Sequence, residues 1–302
     1  MKKVIKRVCS RLHTKASAMT AAVLAAAVLT VSLAGCGNKL YSEDELNEIH
    51  DVVGYVEQER TEYTNVIVDS LPGVVSSIDS TDYDLIDFLS TRGYDMDKPF
   101  VCVTYDDGPS SSVTPKILDL LEEYDAKATF FMVGDYLTDD NQYILERMVD
   151  LGCQVGNHTT DHSQLSTLDS EEEIISKIEP NNERIYELCG VWPRVMRNPY
   201  GDYDERCQKV ATQPFVLWSV DSLDWSSRDA DSVYNVVTDE VYDGAIILMH
   251  DLYDSTYEAS VRLIPWLIEH DYQLVTVSEM AYIKGVTMEP GQPYFDFYDY
   301  GD

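Results

Sequence analysis

The sequence predicts an α/β fold in which about seven parallel strands form a barrel with helices around it. From Lys98 onward, short apolar runs alternate with segments whose apolar residues recur at helical spacing, which is typical of repeated β-α units. Polar and charged clusters follow five of these runs directly. The roughly 200 residues from about 97 to 285 are enough for one domain with a sizeable core.

Strands are predicted at seven short apolar runs. They lie at residues 100–105, 128–133, 153–156, 194–197, 215–220, 245–249 and 273–277. Strands that alternate with helices form parallel sheets, and in a parallel barrel the functional side chains gather where the strands end. The residues that follow each run are therefore the candidates for chemistry.

Helices are predicted between the runs from capping and spacing. Thr114 followed by Pro115 supplies an N-cap and a proline at the first helical position. Ser170 with Glu173 resembles a capping box that opens a long helix through residue 188. Before the last strand, one apolar helix face is predicted at Val261, Ile264 and Ile268.

The first 35 residues are predicted to be an export signal. Six basic residues precede an uncharged, alanine-rich run that is short for a membrane span. The run ends in Leu33-Ala34-Gly35-Cys36, which resembles a bacterial lipobox, so Cys36 is predicted to carry lipid and to become the mature N-terminus. An ordinary signal peptide with an incidental cysteine is the alternative. We therefore expect an exported lipoprotein, anchored to the cell membrane by several acyl chains and facing the cell wall or the outside.

Four segments follow from these patterns. They are a signal peptide at 1–35, a spacer or accessory segment at 36–95, the barrel domain at 96–285 and an acidic, aromatic tail at 286–302. Four cysteines lie beyond Cys36, and an exported chain permits disulfides between them. Cys102 and Cys153 lie in apolar runs typical of buried free thiols, whereas Cys189 and Cys207 could pair.

Acidic residues dominate the chain of 302 residues. There are 22 Lys and Arg against 54 Asp and Glu, a formal net charge of −32, and removal of the leader with its six basic residues leaves −38. Such a charge argues against nucleic-acid binding, because phosphates would be repelled. Anionic polymers would also bind poorly unless a local basic patch or a metal offsets the field. A neutral substrate is easier to accommodate, although the acidity can also serve solubility alone.

Two polar clusters have the composition of a metal site. Asp106 and Asp107 are adjacent carboxylates that repel each other, so keeping both in one place needs a cation or different environments. His158 and His162 are four residues apart and follow another strand, so both can reach one metal. One aspartate with two histidines leaves coordination positions open for water and substrate. An acidic loop and an exposed histidine pair are the alternatives.

Three further clusters follow strands at the same predicted end of the barrel. Arg197 lies in an Arg-Asn-Pro-Tyr-Gly turn, where it could hold a carboxylate or form a structural salt bridge. Asp221 and Asp224 follow the fifth run, and His250 ends the sixth. A histidine in that position is commonly a satisfied core residue. Its place beside four other polar clusters favours a function instead.

Together the five clusters resemble the polysaccharide deacetylase family, the NodB-homology group also called carbohydrate esterase family 4. The matching motifs are Tyr-Asp-Asp-Gly-Pro, His-Thr-x-x-His, Arg-x-Pro-Tyr-Gly, Asp-x-x-Asp-Trp and Leu-x-His-Asp, in the family's order over about residues 97–285. One departure is Tyr105, where the family usually has Phe. The resemblance implies a distorted (β/α) barrel and a divalent metal, zinc foremost, with cobalt or another divalent ion as alternatives.

The resemblance also implies a role for each matched residue. Asp107, His158 and His162 would be the metal ligands, Asp106 the general base and His250 the general acid. Arg197 would orient the base, and Asp224 would tune His250. The backbone N–H of Tyr200 would help to form the oxyanion hole, while Trp225 and Leu248 would line the acetyl pocket.

The expected activity is metal-dependent hydrolysis of acetyl groups from a polysaccharide. N-deacetylation of N-acetylglucosamine units in peptidoglycan or a chitin-like glycan is the leading prediction. O-deacetylation of the acetylxylan esterase type and a sugar- or solute-binding lipoprotein without catalysis are the alternatives. The expected partners are an acetylated polysaccharide and, through Cys36, the membrane; nucleic acid is not expected, and the protein is expected to be a monomer.

Overall fold

Parallel strands organise the part of the chain that the computed structural model describes, residues 94–298. The predicted signal peptide, Cys36 and nearly all of the spacer lie outside the described residues. The strands are β1 (Phe100–Gly108), β2 (Thr129–Met132), β3 (Gln154–Asn157), β4 (Phe215–Val216), β5 (Val220–Asp221), β6 (Ile246–His250), β7 (Gln273–Leu274) and β8 (Pro293–Tyr294).

The sheet is arranged around β1. Its strand order is β3-β2-β1-β6-β5, β7 pairs with the first residues of β1, and β4 pairs with β8. All of these pairings are parallel. Single parallel bridges join Asn157 to Met196 and Met196 to Phe215, so the wall continues from β3 to β4. The predicted α/β barrel is therefore confirmed, with a wall that narrows in places to single bridges.

Helices cover the strands. They are α1 (Thr114–Glu123), α2 (Gln142–Asp150), α3 (Glu171–Cys189), α4 (Glu205–Val210), α5 (Asp224–Ser227), α6 (Ala230–Glu240), α7 (Asp254–Glu269) and α8 (Val277–Ile283). Helices on the sheet explain why all but one of the nine residues of β1 are buried, and why its first half reads as a continuous apolar run. Within residues 94–298, no helix is both long and apolar enough to cross a membrane.

Local capping sets the ends of α3 as predicted. The hydroxyl of Ser170 accepts a hydrogen bond from the N–H of Glu173, and Gly190 ends the helix with a left-handed φ of 74°. The start of α1 differs from the prediction, because Val113 and not Thr114 occupies the N-cap. The Thr114 hydroxyl instead accepts from the N–H of Ser110 and donates to Asp251, a partner that is distant in sequence.

The core face of α7 also differs from the prediction. Ile264 is fully buried, but Val261 and Ile268 are 41% and 39% exposed. Leu263 and Leu267 are buried in their place. Apolar residues lie on more than one stripe of this helix, so spacing alone cannot select the stripe that faces the sheet.

The strands number eight among the described residues, against about seven predicted. The predicted run at 215–220 is divided into β4 and β5, and the run at 194–197 contributes only the bridge at Met196. The additional strand β8 lies in the segment predicted to be a tail. Tyr294 accepts from the N–H of Leu217, and Phe297 is fully buried. The predicted domain boundary at residue 285 therefore falls inside the packed unit.

Among the cysteines of the described residues, Cys102, Cys189 and Cys207 are free thiols. Cys102, Cys153 and Cys207 are buried, and Cys189 is partly buried. The pairing considered for Cys189 and Cys207 is not present.

Candidate active site

The carboxyl ends of the parallel strands bring predicted site residues together. β1 carries Asp106 and Asp107 near its end, and the strand register places Asp106 beside His250, the last residue of β6. β3 ends at Asn157, so His158 leaves the sheet at the same edge. Strand topology therefore assembles residues that lie far apart in the chain.

Asp107, His158 and His162 form a group with the geometry of a metal site. Their ligand atoms lie within 4.8 Å of one another, and Asp107 Oδ1 is 3.2 Å from Nε2 of each histidine. Asp107 Oδ1 is buried and accepts no hydrogen bond from a described residue. An unpaired buried oxygen is unfavourable, and a cation between the three side chains would satisfy it. Two imidazoles and one carboxylate suit a divalent ion such as zinc or cobalt.

The charge state of Asp107 favours this role. Burial tends to raise the pKa of the Asp107 carboxyl, but the imidazoles of His158 and His162 outweigh it and hold the pKa well below its usual range. The Asp107 carboxyl is therefore ionised at neutral pH, as a metal ligand would need to be.

A backbone carbonyl orients His158. Nδ1 of His158 lies 2.6 Å from the carbonyl oxygen of Arg197. A carbonyl can only accept, so Nδ1 carries a proton and donates to it, and Nε2 is the nitrogen that faces Asp107 and could bind a metal. A ligating histidine is usually held by a contact of this kind.

Three of the predicted site residues have a strained backbone. Asp107, His162 and Tyr200 adopt left-handed φ angles of 69°, 58° and 64°. Such a conformation is uncommon for residues other than glycine and costs about 1–3 kcal/mol each. Strain of this size persists where the surrounding structure enforces it, which is typical of ligand and catalytic sites.

Asp106 is held by a fully buried arginine. Nη1 of Arg197 donates to Asp106 Oδ1 at 2.8 Å and to Thr104 Oγ1 at 2.7 Å. Its Nε and Nη2 donate to the carbonyl oxygens of Val216 and Leu217. The guanidinium is 0% exposed. One oxygen of Asp106 is therefore bonded to a guanidinium that three further hydrogen bonds hold in place. The other oxygen, Oδ2, lies 3.8 Å from Nε2 of His158.

His250 is held by Asp224 on the other side of the site. Asp224 Oδ1 lies 2.8 Å from His250 Nδ1, and Asp224 Oδ2 accepts from the backbone N–H of His250 and from Thr256 Oγ1. Burial lowers the pKa of His250, but the hydrogen bond and charge of Asp224 outweigh it and raise the pKa to about 9. His250 is therefore protonated at neutral pH.

The remaining predicted residues line the same region. Tyr200 is 67% exposed, and its ring centroid lies 4.7 Å from that of His162. Trp225 is half exposed, and its backbone N–H donates to Asp224, the partner of His250. Leu248 is buried in β6 two residues before His250, so both side chains lie on one face of that strand.

Comparison with known proteins agrees with the motifs. The polysaccharide deacetylase family model matches residues 93–214. The chain is 37% identical over 196 residues to peptidoglycan-N-acetylglucosamine deacetylase PgdA of Listeria monocytogenes, covering 65% of this chain and 41% of the relative. It is 33% identical over 192 residues to a peptidoglycan-N-acetylglucosamine deacetylase of Bacillus cereus, covering 61% of this chain and 89% of the relative.

A solved structure shares the fold at similar identity. It is a family 4 acetyl xylan esterase from Clostridium thermocellum with a cobalt ion, with a TM-score of 0.63 and 32% identity, covering 65% of this chain and 98% of that chain. The chain belongs to the polysaccharide deacetylase family. It spans about two-fifths of the length of the Listeria relative.

In this member of the polysaccharide deacetylase family, a buried aspartate supports the loop that carries Asp107. Asp251 is fully buried and accepts a hydrogen bond from Thr114, whose oxygen also accepts from the N–H of Ser110. A Cβ at Gly108 would collide with the Asp251 carboxylate. Burial raises the pKa of Asp251 to about 7. Gly108 is therefore required so that this loop can lie against Asp251.

A network of buried amides supports the loop that carries the histidines. Asn157 Oδ1 accepts from the N–H of Thr159, and Asn181 Nδ2 donates to Asn157 Oδ1 and to the carbonyl oxygen of Thr159. Asn157 Nδ2 in turn donates to Asn182. These bonds hold Thr159, which has a left-handed φ of 66°, between His158 and His162.

The sequence interpretation missed the residues that act through others. Thr104 could have been found, because it lies two residues before Asp106 and therefore on the same face of β1. Asp251 belongs to a quoted motif but received no role. Asn181 and Thr256 lie inside helices, where no local pattern distinguishes them from other polar residues.

Metal binding by the Asp-His-His group can be tested by titration with Zn²⁺ and Co²⁺ in a calorimeter. We expect one ion per chain, and His162→Ala should weaken binding by at least about 10- to 100-fold because one of three protein ligands is lost. His270→Ala is the matched control, since His270 is exposed at the end of α7. Equal affinities for the two variants would contradict the assigned ligand set.

Gly108→Ala should weaken metal binding about tenfold or more, because the new methyl group displaces the Asp107 loop from Asp251. Gly190→Ala is the control, since its methyl group meets no atom within 4 Å and the strain from its left-handed φ falls on the end of α3, which contributes none of the three proposed ligands. Calorimetric titration measures the affinity, and circular dichroism checks the fold. Unchanged metal affinity in Gly108→Ala would show that this contact does not position the loop.

Proposed function

We propose that this protein is a metal-dependent hydrolase that removes acetyl groups from a polysaccharide, foremost the N-acetyl groups of N-acetylglucosamine units in peptidoglycan. The observation that carries the proposal is the Asp107-His158-His162 group placed beside two separately held proton carriers, Asp106 and His250. The activities named for the Listeria and Bacillus relatives support the substrate. Zinc is the proposed ion, with cobalt or another divalent ion able to replace it.

The metal, when bound, would act as a Lewis acid on the acetyl carbonyl and would make bound water more acidic. Asp106 is the proposed general base. Its Oδ1 is held by Arg197, so Oδ2 is the oxygen left to take a proton from the attacking water. The fixed position of Arg197 prevents the base from rotating away from the reacting water.

His250 is the proposed general acid. An amine leaves poorly unless nitrogen is protonated as the C–N bond breaks. Nδ1 of His250 is engaged by Asp224, so the proton for the leaving amine comes from Nε2. Asp224 keeps the imidazole charged until that step. We further assign the backbone N–H of Tyr200 to the oxyanion, and the side chains of Trp225 and Leu248 to the acetyl pocket.

A second candidate function is hydrolysis of O-acetyl esters. The solved acetyl xylan esterase from Clostridium thermocellum supports it, because its chain is covered almost completely at 32% identity. Esters have better leaving groups than amides, so the same residues would serve both reactions. The substrate panel below separates the two.

Acetate release from peptidoglycan, a chitin oligosaccharide and acetylated xylan should be measured with and without a chelator. We expect release from the N-acetylated glycans, loss of that release with chelator, and recovery on adding Zn²⁺ or Co²⁺. Asp106→Asn should lack activity and still bind metal, which also controls for contaminating enzymes. Release from none of the three substrates would favour a non-catalytic binding lipoprotein, and release from xylan alone would favour the esterase.

The pH dependence tests His250. Its pKa is raised, so the acid form is present below about pH 9 and is lost above it, and kcat/KM should fall through that region. Asp224→Asn should move this alkaline limb to lower pH, because the hydrogen bond and charge that raise the pKa are both removed.

His250→Ala should reduce amide hydrolysis by about 10²- to 10⁴-fold and affect an activated ester much less. Equal losses on both substrates would contradict the acid role.

We also propose that Cys36 carries the lipid that anchors the mature protein to the cell membrane, facing the cell wall or the outside as a monomer. Support comes from the lipobox-like sequence at the end of the apolar leader. In a bacterial host, labelled palmitate should enter the wild-type protein, which should sediment with membranes. Cys36→Ser should do neither, whereas Cys9→Ser, the other leader cysteine, should match the wild type. Identical behaviour of the two variants would refute lipidation at Cys36.

A further inference from the structure

Almost every cation of the described residues is already paired with a carboxylate. All six lysines form an ion pair. Among the arginines, Arg147, Arg184, Arg197, Arg206 and Arg262 do the same, and Arg194 also has an interaction partner. Arg228 is different, because it forms no ion pair with any residue from 94 to 298, although the chain carries 54 acidic residues.

Arg228 lies at the rim of the candidate active site. Its Cζ is 3.2 Å from the ring centroid of Tyr253, and that ring lies 6.2 Å from the ring of His250. Its Nε donates to the carbonyl oxygen of Trp225 at 2.9 Å. The guanidinium is therefore separated from the proposed acid by a single aromatic ring, on the side where Trp225 is exposed.

The position of Arg228 is held by several contacts. The residue has a left-handed φ of 51° and ends the short helix α5, which begins at Asp224. Stacking on an aromatic face and a bond from Nε leave Nη1 and Nη2 as the donors for an external group. The side chain is exposed, so a ligand can reach it.

Three carboxylates line the same pocket as Arg228, those of Asp229, Asp231 and Glu258, and none of them forms an ion pair with it. Asp229 Oδ1 accepts from the N–H of Ser232 and caps α6, and Asp231 pairs with Arg262. Arg228 therefore provides a positive charge beside the catalytic centre of a chain whose net charge is −32. An anionic substrate needs such a charge, because the overall field repels it.

We propose that Arg228 binds a carboxylate of the glycan, on the sugar that is deacetylated or on its neighbour. The substrate class is then an acetylated glycan with carboxylate-bearing sugars. A planar guanidinium with two free nitrogens matches a carboxylate in a bidentate arrangement. This inference rests on the proposed deacetylase function. It narrows the proposed substrates from acetylated glycans in general to anionic ones.

The test compares two versions of one substrate. One is a peptide-free peptidoglycan strand, in which lactyl carboxylates alternate with N-acetylglucosamine, and the other is the same strand with those carboxylates converted to amides. Arg228→Gln should raise KM for the anionic strand roughly three- to tenfold, with kcat unchanged. It should not change KM for the amidated strand. Arg228→Lys should fall between Arg228→Gln and the wild type, because it keeps the charge.

Arg262→Gln is the matched control, because Arg262 lies close to Arg228 but is already paired with Asp231. It should leave both KM values unchanged. A similar rise in KM for Arg262→Gln would show that only overall charge matters. An equal rise in KM for both strands in Arg228→Gln would show that Arg228 merely holds α5 in place. Either result overturns the proposal.

Binding to the Asp106→Asn variant keeps the test independent of turnover. Calorimetric binding of the anionic strand to Asp106→Asn should weaken three- to tenfold when Arg228→Gln is added, and the amidated strand should bind equally to both. Wild-type protein that releases no acetate while this difference persists would refute the deacetylase function and leave the carboxylate subsite standing. If adding Arg228→Gln does not weaken binding of the anionic strand, the carboxylate subsite is refuted, but the deacetylase function is not.

Discussion

The buried ion pair between Arg197 and Asp106 is the interaction on which the arrangement of the site depends. The guanidinium has no exposed surface. Nη1, which donates to Asp106, also donates to Thr104, and Nε and Nη2 donate to the carbonyl oxygens of Val216 and Leu217. One side chain thus joins the end of β1 to the chain after β4. Removing one partner of such a pair typically costs about 3–5 kcal/mol, because the other charge remains buried. The carbonyl of the same arginine also orients His158.

This ion pair gives different surroundings to two carboxylates that are adjacent in sequence. Asp106 is paired with Arg197, and Asp107 lies against the two imidazoles. Each carboxylate therefore has its own partner, which offsets the repulsion between the two negative charges. Consecutive side chains of an extended strand point to opposite faces, and the left-handed φ of Asp107 interrupts that alternation, so both carboxylates lie within 4 Å of Nε2 of His158. Gly108 then lets the chain lie against Asp251. The two aspartates are therefore distinguished by backbone geometry and by their partners, since the side chains themselves are chemically identical.

Much of the fold and the site could be predicted because the information was local. Apolar runs marked the strands, and the residues that follow them are the ones that meet at the sheet edge. Predictions failed where a distant partner decided the outcome. Thr114 is drawn from its expected capping role by Asp251, and α7 buries Leu263 and Leu267 instead of Val261. The last strand, β8, forms where the chain pairs with β4.

By itself, the sequence determined the fold class, the family motifs and the identity of the residues that could hold a metal or carry a proton. It did so because residue type and spacing carry that information directly. The tertiary structure alone decided the proton on Nδ1 of His158, the protonated state of His250, the strain at Tyr200 and the unpaired charge of Arg228. Each of these depends on burial and on atoms brought from elsewhere in the chain, which no local pattern encodes.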